Sequence, residues 1–195
     1  IIADKHVDAN GFCVGISSSV DTTQAQMSFY AMSGSVSDSL SLTVSKGEWN
    51  HVAWVWDRNA SVNKIFGYVN SVLVASSSNQ VEMDYVSTNG TNLLIGSGSS
   101  ISPFGVTPDA TFSGYLDEFR LWHDVRTQTE IEQYQQKVIF SDDSKLKLYY
   151  RFDEPVDVNS NIVIDYSSNS LHGRLSSGGV TLGVRNIDKS ISHPD

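Results

Sequence analysis

One cysteine stands among 195 residues, so Cys13 can neither close a disulfide within the chain nor build a thiolate zinc site. In the run Phe12-Cys13-Val14 it reads as a small buried hydrophobe. Charge is scarce too, at 18% of residues, and its balance of −9 comes with no basic run, which repels a nucleic-acid backbone. No apolar run approaches the ~20 residues that a helix needs to cross a bilayer, so no membrane insertion is expected. The five histidines, at 6, 51, 123, 172 and 193, show no H-x-x-x-H spacing for zinc. No serine sits in a G-x-S-x-G frame, and no glycine loop opens a helix to cradle phosphate. These absences remove most of the common enzyme chemistries.

What is abundant is Ser, Asn, Thr and Gly beside a normal apolar share of 39%, a mix suited to a β-rich, extracellular-style surface. The length fits one domain and more, with a real core. No secretion signal stands at the start, and the opening Ile1-Ile2-Ala3-Asp4 reads as the middle of something, so the chain is taken as a piece of a larger protein. The acidic excess is compatible with calcium sites, although solubility alone accounts for it.

Strand signals recur along the chain. Residues 10–16 and 25–30 form a pair around a Ser/Asp/Thr turn, and 40–44 alternates Leu40, Leu42 and Val44 with small polar residues. The segment 49–57, WNHVAWVWD, is the most hydrophobic: Val52, Trp54 and Trp56 share one face and Ala53 and Val55 the other, so it is expected to be covered on both faces, with Trp49 and Trp56 in the core. Residues 65–75 make a hairpin about Asn70-Ser71, with Gly67 marking a bulge or a close approach. Further short strands are expected at 81–86 and 92–95, then a long Gly/Ser/Pro loop from 96 to 109. From Gly114 a strand runs into a helix signalled by the capping box Thr127-Gln-Thr-Glu130, with Ile131, Tyr134 and Val138 at helical spacing. After Phe140 come strands at 146–152, 161–165 and 174–175. Many short strands with one helix predict an all-β, two-sheet antiparallel jelly-roll sandwich with one short α-helix.

The blocks WNHVAWVWD, FGYVNSVLVAS, LLIGSG and FSGYLDEFRLWHDVRTQTEI resemble, in order and spacing, the concanavalin-A-like jelly rolls of the laminin-G-like and pentraxin type, over about residues 10 to 135. The resemblance implies two antiparallel sheets, one concave, with calcium and sugar or protein ligands at the rim or on the concave face. A second stretch, 148–173, resembles a signature that opens such domains. Residues 1–140 are therefore read as the jelly-roll body, and 141–195 as closing strands of the same sandwich or the opening segment of a following repeat.

Relatives on this fold include glucanases, which carry the pattern Glu-x-Asp-x-x-Glu with two carboxyls about 5 Å apart. The nearest match, Glu82-Met-Asp84-Tyr-Val-Ser87, ends in Ser, and Asp117 and Glu118 are adjacent and point to opposite faces of a strand. No enzyme is expected. For glycan stacking the candidates are Trp54, Tyr85, Phe104 and Trp122, with a core role for Trp54 and a loop-pinning role for Phe104 as the alternatives. For calcium the candidates are Asp117, Asp165 and Asn169, set against an Asx-turn at Asp165 and Asn169 and a salt bridge from Asp117 to Arg120 or Arg126. Asn59-Ala-Ser61 and Asn89-Gly-Thr91 are glycosylation sequons if the chain is secreted by a eukaryote. The expected role is recognition or adhesion of a glycan or a surface protein on a cell, extracellular or virion surface, beside other domains of the same chain or oligomer. The alternative is a structural decoration or fibre module of a virus, a phage or a surface protein.

Overall fold

The computed structural model describes residues 1–17, 21–62, 64–78, 91–109, 112–140, 143–154 and 161–175. Two compact units share the chain: Ile1–Ser113 with Arg126–Gln135, and Gly114–Val125 with Gln136–Asp195. The first unit opens with a hairpin of β1 (Ala3–Val7) and β2 (Asn10–Ser17), whose turn residue Asp8 has φ 51°. Sequence reading left β1 unassigned, because its alternation is carried by Asp4 and His6 rather than by apolar residues. β3 (Gln24–Ser33) and β4 (Val36–Ser45) continue the sheet, and both run longer than expected. β5 (Val52–Trp56), β6 (Ile65–Val69) and β7 (Val72–Ser76) form a second sheet, and β8 (Leu94–Ile95) returns to β1. The strand orders are β4-β3-β2-β1-β8 and β5-β6-β7, antiparallel throughout.

Alternation decides which side chains meet between the sheets. Leu40 and Leu42 of β4 and Ala31 of β3 pack with Ile65, and Phe29, Val52, Trp54, Trp56 and Val69 close around them. Phe12, Phe29 and Trp54 stack in sequence, with centroids 6.1 Å and 6.0 Å apart. Gly67, opposite Trp54, answers both readings of its sequence signal. The β6–β7 register shifts at Gly67/Tyr68, and a Cβ at Gly67 would stand 2.4 Å from Leu42 Cδ2. Asn70 and Ser71, at φ 50° and 65°, make the tight turn that Asn-Ser announced.

The other face of β5 and β6 is covered as well. Val55 and Tyr68 pack with Ile131 of α1 (Gln128–Tyr134). Thr127 and Glu130 form the expected capping box, and Gln128 Nε2 donates to the Ser71 carbonyl over 3.0 Å. Val138 lies beyond the end of the helix. Trp49 corrects the expectation of a core residue: it is 39% exposed, because regular pairing begins only at Val52 and strand parity does not reach back to it.

In the second unit, β9 (Phe119–Trp122) pairs antiparallel with β10 (Leu146–Tyr150), and β11 (Ile162–Val163) with β12 (Gly173–Arg174). The strand expected from Gly114 is confined to four residues because Glu118, at φ 54°, breaks the extended run. β9 falls in the same compact unit as the segment from Gln136 onward. The expected strand 81–86 lies outside the described residues. The described residues are mainly β: the first unit is a two-sheet antiparallel sandwich, and Gln128–Tyr134 is the one α-helix among the described residues.

Adding branched bulk at the closest approach of the sheets tests this packing. Gly67→Val forces Leu42 and Leu40 from their rotamers and should cost about 2 kcal/mol in urea unfolding, within the range for overpacked cores.

Candidate functional site

The pattern that sends Leu40, Leu42 and Val44 inward turns a serine or threonine outward at every second residue of β4. Across β3 and β4 the outward rows are Gln24/Ser45, Gln26/Thr43, Ser28/Ser41 and Tyr30/Ser39. The Ser28 and Ser41 hydroxyls bond to each other at 2.7 Å, and Gln24, Gln26, Ser39, Ser41, Thr43 and Ser45 are exposed. Hydroxyls donate and accept, and each amide does both from one end, so this floor can meet a polyol in several registers.

One end of the floor is walled by the long loop. Ile101 is fully buried with Ile1, Cys13 and Met32, and the Phe104 ring lies 4.8 Å from Tyr30 at 52°. The loop holds its own shape: Ile101 and Val106 bridge, Ser102–Phe104 forms one 3₁₀ turn, and Gly105 takes φ 63°. Tyr30 and the β4 hydroxyls were not singled out from the sequence, although the strict serine alternation of Val36–Ser45 was the signal.

Of the three stacking candidates among the described residues, Phe104 borders this face, half-buried against Tyr30. Trp54 is committed to the interior on Phe29, its buried Nε1 without a hydrogen-bond partner among the described residues. Trp122 lies half-buried in the second unit on β9, opposite Leu146. Tyr85 lies outside the described residues, as do Glu82 and Asp84. Asn59 is exposed in its loop, and Asn89 lies outside the described residues.

The calcium candidates all fall in the second unit, where both carboxylate oxygens of Asp165 are engaged. Asp165 is buried: Oδ1 accepts from the Tyr149 and Ser167 amides, each over 2.9 Å, and Oδ2 from the Ser167 hydroxyl and the Leu171 amide, each over 2.8 Å. Asn169 turns its amide nitrogen to the carbonyls of Leu146 and Lys147 and to Ser167 Oγ. Asp117 accepts from the Glu118 amide over 3.0 Å. Arg120 pairs with Glu118 and Arg126 with Glu130. A cation at Asp165 would have to displace four donors, and among the described residues no three His, Cys, Asp or Glu side chains converge on one point. Asp165 and Asn169 take part in an Asx-type turn that fastens its own backbone.

Beside this turn, Glu118 accepts from Arg120 and, over 2.5 Å, from the Tyr149 hydroxyl. Burial and the Glu118 bond push the Tyr149 phenol up to about 12. Arg151 bonds Asp153 at 2.6 Å and lies over the Tyr166 ring. The network ties β9 to β10.

Two antiparallel sheets packed face to face, one presenting a polar outer face, make the first unit a lectin-type β-sandwich. Residues 1–132 match the family model described as the concanavalin A-like lectin/glucanases superfamily, laminin-G type, and the chain belongs to that family. No curated protein and no solved structure matches it. Among the described residues, no helix is long and apolar enough to cross a membrane.

Burial pushes the Asp165 carboxyl up, but the Ser167 and Leu171 amides, the Ser167 hydroxyl and the Tyr149 amide outweigh it, so its pKa is held below the ordinary value. Such a group stabilises the fold above about pH 4 and loses that contribution as pH falls through its lowered value. Asp165→Asn sets an amide NH₂ against donors and should cost about 2 kcal/mol at pH 7. Urea unfolding at pH 7 and pH 3 should find the mutant's penalty smaller at the lower pH.

Proposed function

We propose that this chain is a non-catalytic recognition module of an extracellular or particle-surface protein, and that it binds glycans on the outer face of its five-stranded sheet. The supporting observation is the floor of hydroxyls and amides on β3 and β4, ending at the Tyr30–Phe104 wall. Sugars present hydroxyls along their edges and C–H patches on their faces, and a polar floor beside an aromatic edge complements both. Recognition without catalysis accords with this face, where Asp4 is the acidic side chain turned outward and is already hydrogen-bonded.

A structural module making protein–protein contacts, as in a virus or phage decoration, is the second reading. It draws on β7, where Val72, Leu73 and Val74 are all exposed.

A glycan-array screen with and without calcium separates the two. Binding of at least one glycan class, unchanged by chelation, is expected. Ser41→Arg with Thr43→Arg should then weaken binding at least tenfold, since the new side chains fill the floor, and leave the melting temperature in place because both positions are exposed. A flat array under both conditions would transfer the assignment to the structural module.

A further inference from the structure

The floor on β3 and β4 continues onto β2 through Gly15 and Ser17, which stand opposite Ser28 and Gln26. A Cβ on Gly15 would lie 3.5 Å from the Tyr30 ring, so bare backbone borders the aromatic wall here. Along this open stretch every outward side chain of β2, β3 and β4 is a hydroxyl, an amide or the Tyr30 phenol.

The cations of the first unit are all held elsewhere. It carries five Lys and Arg against eleven Asp and Glu, so each cation can be followed to its place. Lys5, opposite Phe12, points to the other side of β1 and gives its ammonium to the Thr91 carbonyl over 2.8 Å. Arg58 and Lys64 sit on the loop joining β5 to β6 in the other sheet, where Lys64 Nζ donates to the Arg58 carbonyl over 2.8 Å. Arg126 pairs with Glu130 over 3.1 Å at the start of the helix that covers that other sheet. Lys46 is the nearest in sequence. It lies one position past β4, on the parity opposite to Ser45, and its ammonium is held by the Asp21 carbonyl. His6 is enclosed with Asp4, and the Ile1 amino group acts on the Cys13 thiol in the cluster around Ile101.

The charge that does border the floor is negative. At the Gln24 end Asp21 Oδ1 accepts from the Thr23 and Gln24 amides over 2.6 Å and 2.7 Å. The Thr23 hydroxyl and amide and the Gln24 amide hold its carboxyl below the ordinary range, so it stays ionised at neutral pH. A ligand carboxylate or sulfate laid on this floor would give up water for neutral partners and meet an acidic surround. A sugar hydroxyl exchanges water for a hydroxyl or amide of the same kind, at little cost.

We infer that the floor selects uncharged glycans and rejects those bearing carboxylate or sulfate groups. This rests on the glycan reading above and goes on to name the class of glycan.

An array that carries neutral glycans beside their sulfated, sialylated and uronate counterparts tests it. Chelator is present throughout, so that no bridging cation supplies the missing positive charge. Each pair with a bound member is then titrated against the intact chain. The neutral member should bind at least tenfold more tightly, with an affinity that scarcely changes between low and high salt. Gln26→Lys places a cation on an exposed outward position and should narrow that ratio at least threefold, with the melting temperature unchanged. If acidic members bind as tightly as their neutral counterparts, or more tightly, the selection for uncharged glycans falls and the glycan reading stands. A ratio unmoved by Gln26→Lys overturns the assignment of the selection to this floor. If no glycan of either class binds, the glycan reading falls and this inference falls with it.

Discussion

The approach of β4 to β6 governs the first unit. Leu42 and Leu40 press into the space that Gly67 leaves empty, and the residues flanking that contact, Trp54, Trp56, Val52 and Val69, fill the interlayer because the backbones come so close. Two sheets bury enough apolar area to offset chain entropy only when their inner side chains interdigitate. A glycine at the tightest point lets a tryptophan-bearing strand lie against a leucine-bearing one without strain. The polar outer face follows from the same alternation, since every inward leucine of β4 commits the next serine outward.

Covering both faces of β5 and β6 makes that sheet structural. Trp54 stacks inside on Phe29, and Val55 and Tyr68 are sealed by Ile131 of the helix. The five-stranded sheet differs, because its outer face is divided. One end is closed by Ile101 and Phe104, and the other exposes a run of hydroxyls and amides. Aromatic mass stabilises the first unit at Trp54 and Trp56, half-buried against its core, while Tyr30 and Phe104 meet at a polar border. Asp4 and His6 matter to that border because they meet the loop backbone at Ser99 and Ser100.

In the second unit one carboxylate does a comparable task by local means. Asp165 collects amides from three separate positions, Tyr149, Ser167 and Leu171, and so joins β10 to the turn that follows β11. Asn169 repeats the arrangement with the opposite polarity, donating to carbonyls of the same strand. Acidic and amide side chains close together in a turn resemble a cation site in sequence. The donors that reach Asp165 in space fasten the turn to its own backbone.

Several features were legible in the amino-acid order alone. The all-β class, the Asn70-Ser71 hairpin, the special place of Gly67 and the Thr127–Glu130 cap each depend on residues within a few positions of one another, where period-two alternation and turn chemistry act directly. Other features were decided only by tertiary structure. Trp49 and Trp54 look alike in sequence, yet one is exposed and the other stacked inside, because strand pairing starts between them. The pairing of Tyr30 with Phe104, and of Asp4 and His6 with Ser99 and Ser100, joins residues more than seventy positions apart. Local propensity carries no information about such contacts, and packing of the loop onto the sheet creates them.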